Sequence, residues 1–169
     1  IKMEKRFSGR IFVLGDDIDT DVIYPGKYLP IIDAEEMAKH ALEGYDPEFP
    51  QRIRKGDIIV AGKNFGCGSS REQAATSLKF AGIAAVIAKS YSRIFFRNAI
   101  NQGLPLITSS LVEKVKEGDE ITIDFGQGRI EYSGGKEEFP PLPDSVMDIL
   151  EEGGLIPAVR KSLGISKAS

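Results

Sequence analysis

The chain has 169 residues, 41% of them hydrophobic and 28% charged, a composition that predicts one domain over residues 1–169 with a sizeable core. A net charge of −3 argues against nucleic acid as the main partner, because no basic patch is available to neutralise phosphates. No apolar run has membrane-spanning length and no signal-peptide pattern is visible, so we expect a cytoplasmic protein with no membrane partner.

The scarce residues are informative. The sequence has one cysteine, Cys67, and one histidine, His40. A disulfide framework within the chain, or a zinc or iron–sulfur site built only from its own side chains, needs several Cys or His. We therefore expect no metal bound by this chain alone. We interpret His40 as an incidental residue on a partly exposed helix rather than as a catalyst.

In chain order, residues 10–14 read as a strand, and the acidic turn at 15–21 follows. Its aspartates are Asp16, Asp17, Asp19 and Asp21. A calcium loop of the EF-hand type is disfavoured, since that loop also needs a glycine and a distant glutamate at set positions. Hydrogen bonds from aspartate side chains within a turn explain most of these residues without a ligand.

Residues 22–30 contain two prolines and a glycine, which predict an irregular loop. A helix should follow, started by Asp33 with a capping pattern and ended by Gly44. Residues 45–50 read as a turn-rich connection, and 57–60 as a buried strand.

That strand leads into a glycine-rich turn at 61–70 and a helix whose apolar residues continue to 81. Ser69 and Ser70 are both followed three residues later by Glu or Gln, so a capping box is available in either register. Unpaired N–H groups, the helix dipole and Arg71 favour a bound carboxylate or phosphate. A purely structural cap is the alternative, and nucleotide-binding patterns do not fit. The Cys67 thiol either has a pKa lowered by the helix N-terminus, and then oxidises readily, or is buried and unreactive.

The rest of the chain alternates strands and helices. The apolar run at 83–88 is typical of a central strand covered on both faces. We predict a helix at 90–102, a short strand at 104–107 and a hairpin formed by 120–125 and 128–132. Two terminal helices should occupy 144–150 and 155–163. Together these elements predict an α/β fold with more than one sheet layer.

Three segments of this chain resemble those of a known family. They are Gly-Cys-Gly-Ser-Ser-Arg-Glu at 66–72, Gly-Asp-Asp-Ile-Asp-Thr-Asp at 15–21 and Ser-Arg-Ile-Phe-Phe-Arg-Asn-Ala-Ile-Asn at 92–101. In order and type they are similar to the isopropylmalate dehydratase small subunits, which correspond to the swivelling C-terminal domain of aconitase. The resemblance implies the swivelling β/β/α fold. The polar residues of the third segment fit either a solvated helix face or an active-site wall.

The resemblance also implies an activity. Such subunits belong to hydro-lyases that interconvert 2-isopropylmalate and 3-isopropylmalate through 2-isopropylmaleate in leucine biosynthesis. A [4Fe–4S] cluster acts there as a Lewis acid, and with one cysteine here it would reside on a separate large subunit. The family assigns proton abstraction to Ser69 and carboxylate binding to Ser70 and Arg71. Asp21 would be catalytic as an organiser of the site, although Val22 replaces the histidine that follows it in aconitase.

The substrate-specific segment of the family matches residues 28–32 here. Tyr28 and Leu29 precede Pro30, Ile31 and Ile32, which would form an apolar surface suited to an isopropyl group. Tricarboxylate-using relatives place an arginine there, whereas the nearby cation in this chain is a lysine at position 27.

Several alternatives stay open at this point. Apolar residues after a loop are also common in core packing. The small subunit of a homoaconitase, or of a dimethylmalate or citraconate-type hydratase, would share these motifs. A non-catalytic anion-binding interaction module would share the glycine-rich turn.

Overall fold

A computed structural model of the chain describes residues 3–164, which contain seven strands and seven α-helices. The strands are β1 Arg6–Val13, β2 Ile58–Ala61, β3 Ala85–Ala88, β4 Leu106–Thr108, β5 Glu120–Asp124, β6 Arg129–Tyr132 and β7 Gly135–Glu138. The helices are α1 Thr20–Ile23, α2 Ala34–Ala38, α3 Phe49–Arg52, α4 Glu72–Ala81, α5 Arg93–Asn101, α6 Asp144–Glu151 and α7 Leu155–Ser162. Two 3₁₀ turns occupy Gly26–Tyr28 and Leu111–Glu113. Among these residues no helix combines the length and apolarity that crossing a membrane would require.

All seven strands belong to one sheet with the order β4-β3-β2-β1-β5-β6-β7, where the sequence predicted more than one sheet layer. The first four strands in the chain run parallel, with Ile11 opposite Ile58 and Ile58 opposite Ala85. From β1 onward the other half is antiparallel, through β5, β6 and β7. Parallel strands present their carboxyl ends at one edge, which is where loops of α/β proteins usually carry a ligand site.

Strand β2 shows why the sheet is central to the fold. All four of its side chains are fully buried. Ile58 and Val60 pack in a cluster with the apolar residues of β5 and β6, whereas Ile59 and Ala61 pack with residues of the helical layer. Since successive side chains of a strand point to opposite faces, this division places apolar layers on both sides of the sheet.

Most predicted elements are confirmed, with shifts of a few residues at their ends. The hairpin β5–β6 and the two terminal helices, separated at 153–154, lie where the sequence predicted them. Strand β7 was missed because its sequence, Gly-Lys-Glu-Glu, has no apolar alternation.

Two predictions between β1 and β2 were wrong. The segment 22–30 is not wholly irregular, because the Asp19 side chain accepts a hydrogen bond from the Val22 N–H at 2.9 Å and starts α1. The helix expected to reach Gly44 ends at Ala38. Beyond it, buried Leu42 takes a left-handed φ of +60° and its N–H bonds the Ile23 carbonyl at 2.7 Å, so a tertiary contact replaces the helix.

A tight backbone contact joins β1 to the turn before β2. A Cβ atom on Gly9 would lie 2.1 Å from the Gly56 carbonyl oxygen, whereas one on Gly15 would meet nothing within 4 Å. We expect Gly9→Ala to lower the free energy of unfolding by about 1–3 kcal/mol, because one of the two backbones must shift. Gly15→Ala is the matched control and should leave stability unchanged or slightly raised. Urea unfolding of both variants measures this, and equal stability would contradict the contact.

Candidate active site

The loops that follow β1 and β2 are joined by hydrogen bonds at the carboxyl edge of the sheet. The Gly62 N–H bonds the Gly15 carbonyl at 3.1 Å and the Asp17 N–H bonds the Lys63 carbonyl at 2.8 Å. Asp16 accepts from the Lys63 N–H at 2.7 Å. The acidic turn therefore uses part of its carboxylates to hold the neighbouring loop. Residues 3–164 contain no group of three His, Cys, Asp or Glu side chains placed to hold a metal ion.

The glycine loop after β2 is shaped by contacts with α5. Gly66 and Gly68 have φ of +79° and +89°, and a Cβ on Gly66 would lie 2.2 Å from the Phe95 ring. Ser92 caps α5 by accepting from the Phe95 N–H, and its hydroxyl donates to the Gly66 carbonyl at 2.8 Å. Ser92 and Phe95, both in the third sequence motif, thus hold the glycine loop in place.

Helix α4 begins later than the sequence predicted. Its N-cap is Arg71, with φ −137° and ψ 106°, and no side chain caps it, so the predicted capping box was wrong. The Ser69 carbonyl instead accepts from the buried Thr20 hydroxyl at 2.6 Å, which holds this stretch in the loop before the helix. Within the described part of the chain, the hydroxyl and N–H groups of Ser69 and Ser70 make no hydrogen bond. Both serines are exposed.

The Arg71 side chain turns back towards α1. Its Nη1 donates to Asp21 Oδ1 at 2.6 Å and to the Tyr24 carbonyl at 3.0 Å. The Asp21 carboxylate also accepts from the Gly26 N–H at 2.9 Å. The hydrogen bond from Arg71, followed by the one from Gly26, lowers the pKa of Asp21. Asp21 is therefore an anion at neutral pH and a weak proton acceptor.

This arrangement leaves groups able to bind an anion at the start of α4. Arg71 Nη1 donates to Asp21 and to the Tyr24 carbonyl. The Nε and Nη2 atoms have no partner in the part of the chain that the structure describes. Those two nitrogens form a planar fork that suits a carboxylate. Ser69 and Ser70, which directly precede Arg71 in the chain, add exposed hydroxyl and N–H groups, and the positive end of the α4 dipole begins at the same point. The structure thus brings together Asp21, Ser69, Ser70 and Arg71.

The segment 28–32 begins next to this cluster. A Cβ on Gly26 would lie 3.2 Å from Arg71 Nη2, and the Tyr24 hydroxyl donates to the Tyr28 carbonyl at 2.7 Å. Leu29 is 38% exposed and Ile32 is 93% exposed, while Ile31 packs against the main core. Leu29, Pro30 and Ile32 are the apolar side chains that remain accessible.

Two residues outside the sequence motifs, His40 and Glu43, support this segment. The Tyr28 hydroxyl donates to Glu43 Oε1 at 2.5 Å, and His40 Nδ1 lies 2.6 Å from Glu43 Oε2. The His40 ring is stacked on the Tyr28 ring with 3.6 Å between centroids. His40 is therefore not incidental, and it lies beyond the end of α2. Nothing in the sequence signals this cluster, because its contacts depend on how the loop folds back.

Residues 3–110 match the family described as the aconitase C-terminal domain. The chain belongs to this family. The match covers the parallel half of the sheet, up to β4, and all three motifs. The predicted swivel-domain fold of aconitase is thereby confirmed.

Relatives with assigned names align with almost the whole chain. The 3-isopropylmalate dehydratase small subunit 1 of Methanopyrus kandleri is 53% identical over 90% of this chain and 92% of its own length. A methanogen homoaconitase small subunit from Methanothermobacter thermautotrophicus is 49% identical over 97% of this chain and 98% of its own. The crystal structure of a 3-isopropylmalate dehydratase from Methanocaldococcus jannaschii superposes with a TM-score of 0.89 at 44% identity, covering 94% of this chain and 95% of that one.

In this aconitase-family chain the thiol of the glycine loop is not activated. Burial raises the pKa of Cys67, and the negative charges of Asp19 and Asp17 raise it further. The alternative of a lowered pKa was therefore wrong. The thiol lies five residues before the start of α4 at Glu72, and burial, followed by the charges of the acidic turn, decides the direction of its pKa.

The Arg71–Asp21 contact predicts an acid-dependent component of stability. Because the pKa of Asp21 is lowered by folding, its contribution is complete above the ordinary aspartate pKa of about 3.9 and is lost as the pH falls through the lower, folded value. Asp21→Asn removes this component. The stability difference between wild type and variant, measured by urea unfolding, should shrink as the pH is lowered from about 6 to 2. A difference that is constant with pH would contradict the contact.

Proposed function

We propose that this chain is the small subunit of a 3-isopropylmalate dehydratase, a hydro-lyase that interconverts 2-isopropylmalate and 3-isopropylmalate through 2-isopropylmaleate in leucine biosynthesis. The observation that carries the proposal is the Arg71–Asp21 pair of 2.6 Å beside the unpartnered hydroxyls of Ser69 and Ser70. It occurs in a chain that is 53% identical to a small subunit of that name. We propose that residues 1–169 act as one swivelling domain, and a cytoplasmic location stays a prediction.

We propose one role for each residue of the cluster, and their surroundings support these roles. Arg71 and Ser70 bind a carboxylate of the substrate, because the free guanidinium nitrogens and the helix N-terminus favour an anion. Ser69 takes the proton from carbon. A serine hydroxyl is a poor base unless its alkoxide is stabilised, and the helix N-terminus and Arg71 are the groups able to do this. Asp21 fixes the orientation of Arg71 and stays charged.

The iron–sulfur cluster of such enzymes does not fit on this chain. The sequence has one cysteine, and residues 3–164 hold no set of three metal-ligand side chains. We therefore propose that a partner large subunit carries a [4Fe–4S] cluster. When bound there, the cluster would supply a Lewis acid for the leaving hydroxyl.

The apolar segment supports isopropylmalate as the substrate. Leu29, Pro30 and Ile32 offer accessible hydrocarbon, and Tyr28 holds the start of the segment through its hydroxyl. A carboxylate in an apolar pocket loses solvation without a charged partner. Homoaconitase activity is the second candidate, because a homoaconitase small subunit is 49% identical and the Lys27 ammonium lies 5.2 Å from the Tyr28 ring centroid. Dimethylmalate and citraconate-type hydratases differ in the same segment.

Substitutions at the start of α4 test the catalytic roles. In the enzyme reconstituted with a large subunit, Ser69→Ala should lower kcat by about 10²-fold or more, since positioned proton transfer contributes roughly that much. Arg71→Lys should chiefly raise KM, because an ammonium cannot hold a carboxylate through two parallel hydrogen bonds. Ser133→Ala, in the exposed turn between β6 and β7, is a control for the serine change. Near-normal kcat and KM in both site variants would mean that the motif has only a structural role.

Anaerobic reconstitution tests the function and the substrate. Purified alone, the chain should contain no iron and show no turnover. With a cluster-bearing large subunit we expect isopropylmalate to be preferred over homocitrate or citrate by at least about 10²-fold in kcat/KM. Pro30→Arg should shift the preference towards the tricarboxylates, because it supplies a cation in the segment. Equal turnover of both substrates by wild type, or an unchanged ratio in the variant, would mean that another segment sets specificity.

A further inference from the structure

Glu43 is the acceptor at the centre of the cluster that supports the segment 28–32. Each of its oxygens has one partner, Tyr28 on Oε1 at 2.5 Å and His40 on Oε2 at 2.6 Å. The hydrogen bond to Glu43 raises the pKa of Tyr28. Burial acts to raise the pKa of Glu43, but the hydrogen bonds from Tyr28 and His40 outweigh it, so the net pKa is lowered. Glu43 is thus a fixed carboxylate at neutral pH.

The backbone around Glu43 is clamped to α1. Buried Leu42 bonds the Ile23 carbonyl from a left-handed conformation, and a Cβ on Gly44 would lie 2.7 Å from the Val22 backbone. A non-glycine residue with positive φ is held in place only by strong surrounding contacts. Because α1 also carries Asp21, the position of Glu43 is fixed relative to the anion-binding groups.

Lys27 lies within the electrostatic reach of this carboxylate. Its ammonium is 5.2 Å from the Tyr28 ring centroid, and its charge acts to lower the pKa of Glu43. Lys27 is also the only charged side chain in the sequence between positions 26 and 32. No ion pair joins Lys27 to Glu43 within residues 3–164, so Glu43 acts on this lysine at longer range and weakens its attraction for a third carboxylate of a substrate.

We propose that Glu43 is a specificity-determining residue, which holds Tyr28 and places a fixed negative charge near Lys27, so that the segment 28–32 favours an apolar substituent over a carboxylate. This inference rests on the proposed function and deepens it. Glu43 touches neither the serines nor Arg71 in the described chain, so it acts by positioning and by charge. A fixed negative charge near the variable group penalises a tricarboxylate and leaves a hydrocarbon unaffected.

The test compares charge removal with and without the lysine in the reconstituted enzyme. Glu43→Gln keeps an acceptor for the Tyr28 hydroxyl and removes the charge. We expect it to shift the kcat/KM ratio of homocitrate to isopropylmalate upward by about two- to fivefold, the range expected of an exposed charge–charge interaction. Adding Lys27→Met should reverse the shift. Glu35→Gln, which removes one exposed charge from α2, should leave the ratio unchanged.

Other outcomes overturn the inference. An equal loss of kcat/KM for both substrates in Glu43→Gln would make Glu43 merely structural. A shift that persists with Lys27→Met would exclude the lysine as the cation.

Ultraviolet titration of tyrosine in the isolated full chain gives a readout that does not depend on activity: the raised pKa of Tyr28, assigned with Tyr28→Phe, should fall in Glu43→Gln. If the wild-type complex does not convert isopropylmalate, the proposed function fails and the specificity inference falls with it, whereas the titration still shows whether Glu43 holds Tyr28.

Discussion

The hydrogen bonds of a single Arg71 nitrogen to Asp21 and to the Tyr24 carbonyl connect the two loops on which the site is built. One loop follows β1 and the other follows β2, and these strands are neighbours in the parallel half of the sheet. The Asp21 side chain is 67% exposed, so solvent screens the ion pair and its main effect is geometric. It orients the free edge of the guanidinium, and through the Gly26 N–H it fixes the start of the segment 28–32.

The glycine loop depends on that arrangement and on α5. The Phe95 ring occupies the space that a side chain at Gly66 would need, and Ser92 bonds the Gly66 carbonyl. The Thr20 hydroxyl donates to the Ser69 carbonyl. Because the loop is positioned by these contacts, the serine hydroxyls are not needed as helix caps. A helix start without a side-chain cap gives up roughly 1 kcal/mol of stability, and unpartnered donors at that place are suited to bind an anion.

Sequence reasoning selected the residues of this candidate site but not their geometry. It identified Asp21, Ser69, Ser70 and Arg71 from motifs, and the structure brings them together at one edge of the sheet. It was wrong about the capping box, because the backbone of Ser69 is held by a residue 49 positions earlier. It left open whether the Cys67 thiol has a lowered pKa or is buried and inert, and burial together with the charges of Asp19 and Asp17, which belong to a different loop, raises that pKa. It also missed Glu43 as the partner of Tyr28.

The sequence by itself determined the strands and helices with clear apolar patterns, the glycine-rich turn and the lack of enough cysteines for an iron–sulfur cluster. These depend on composition or on neighbours within a few residues. Only the tertiary structure decided the strand order, the left-handed Leu42, and the pairing of Arg71 with Asp21 across 50 residues. Such contacts form only when burial of the sheet on both faces brings distant loops to the same edge, and no local pattern of side chains records which loops those are.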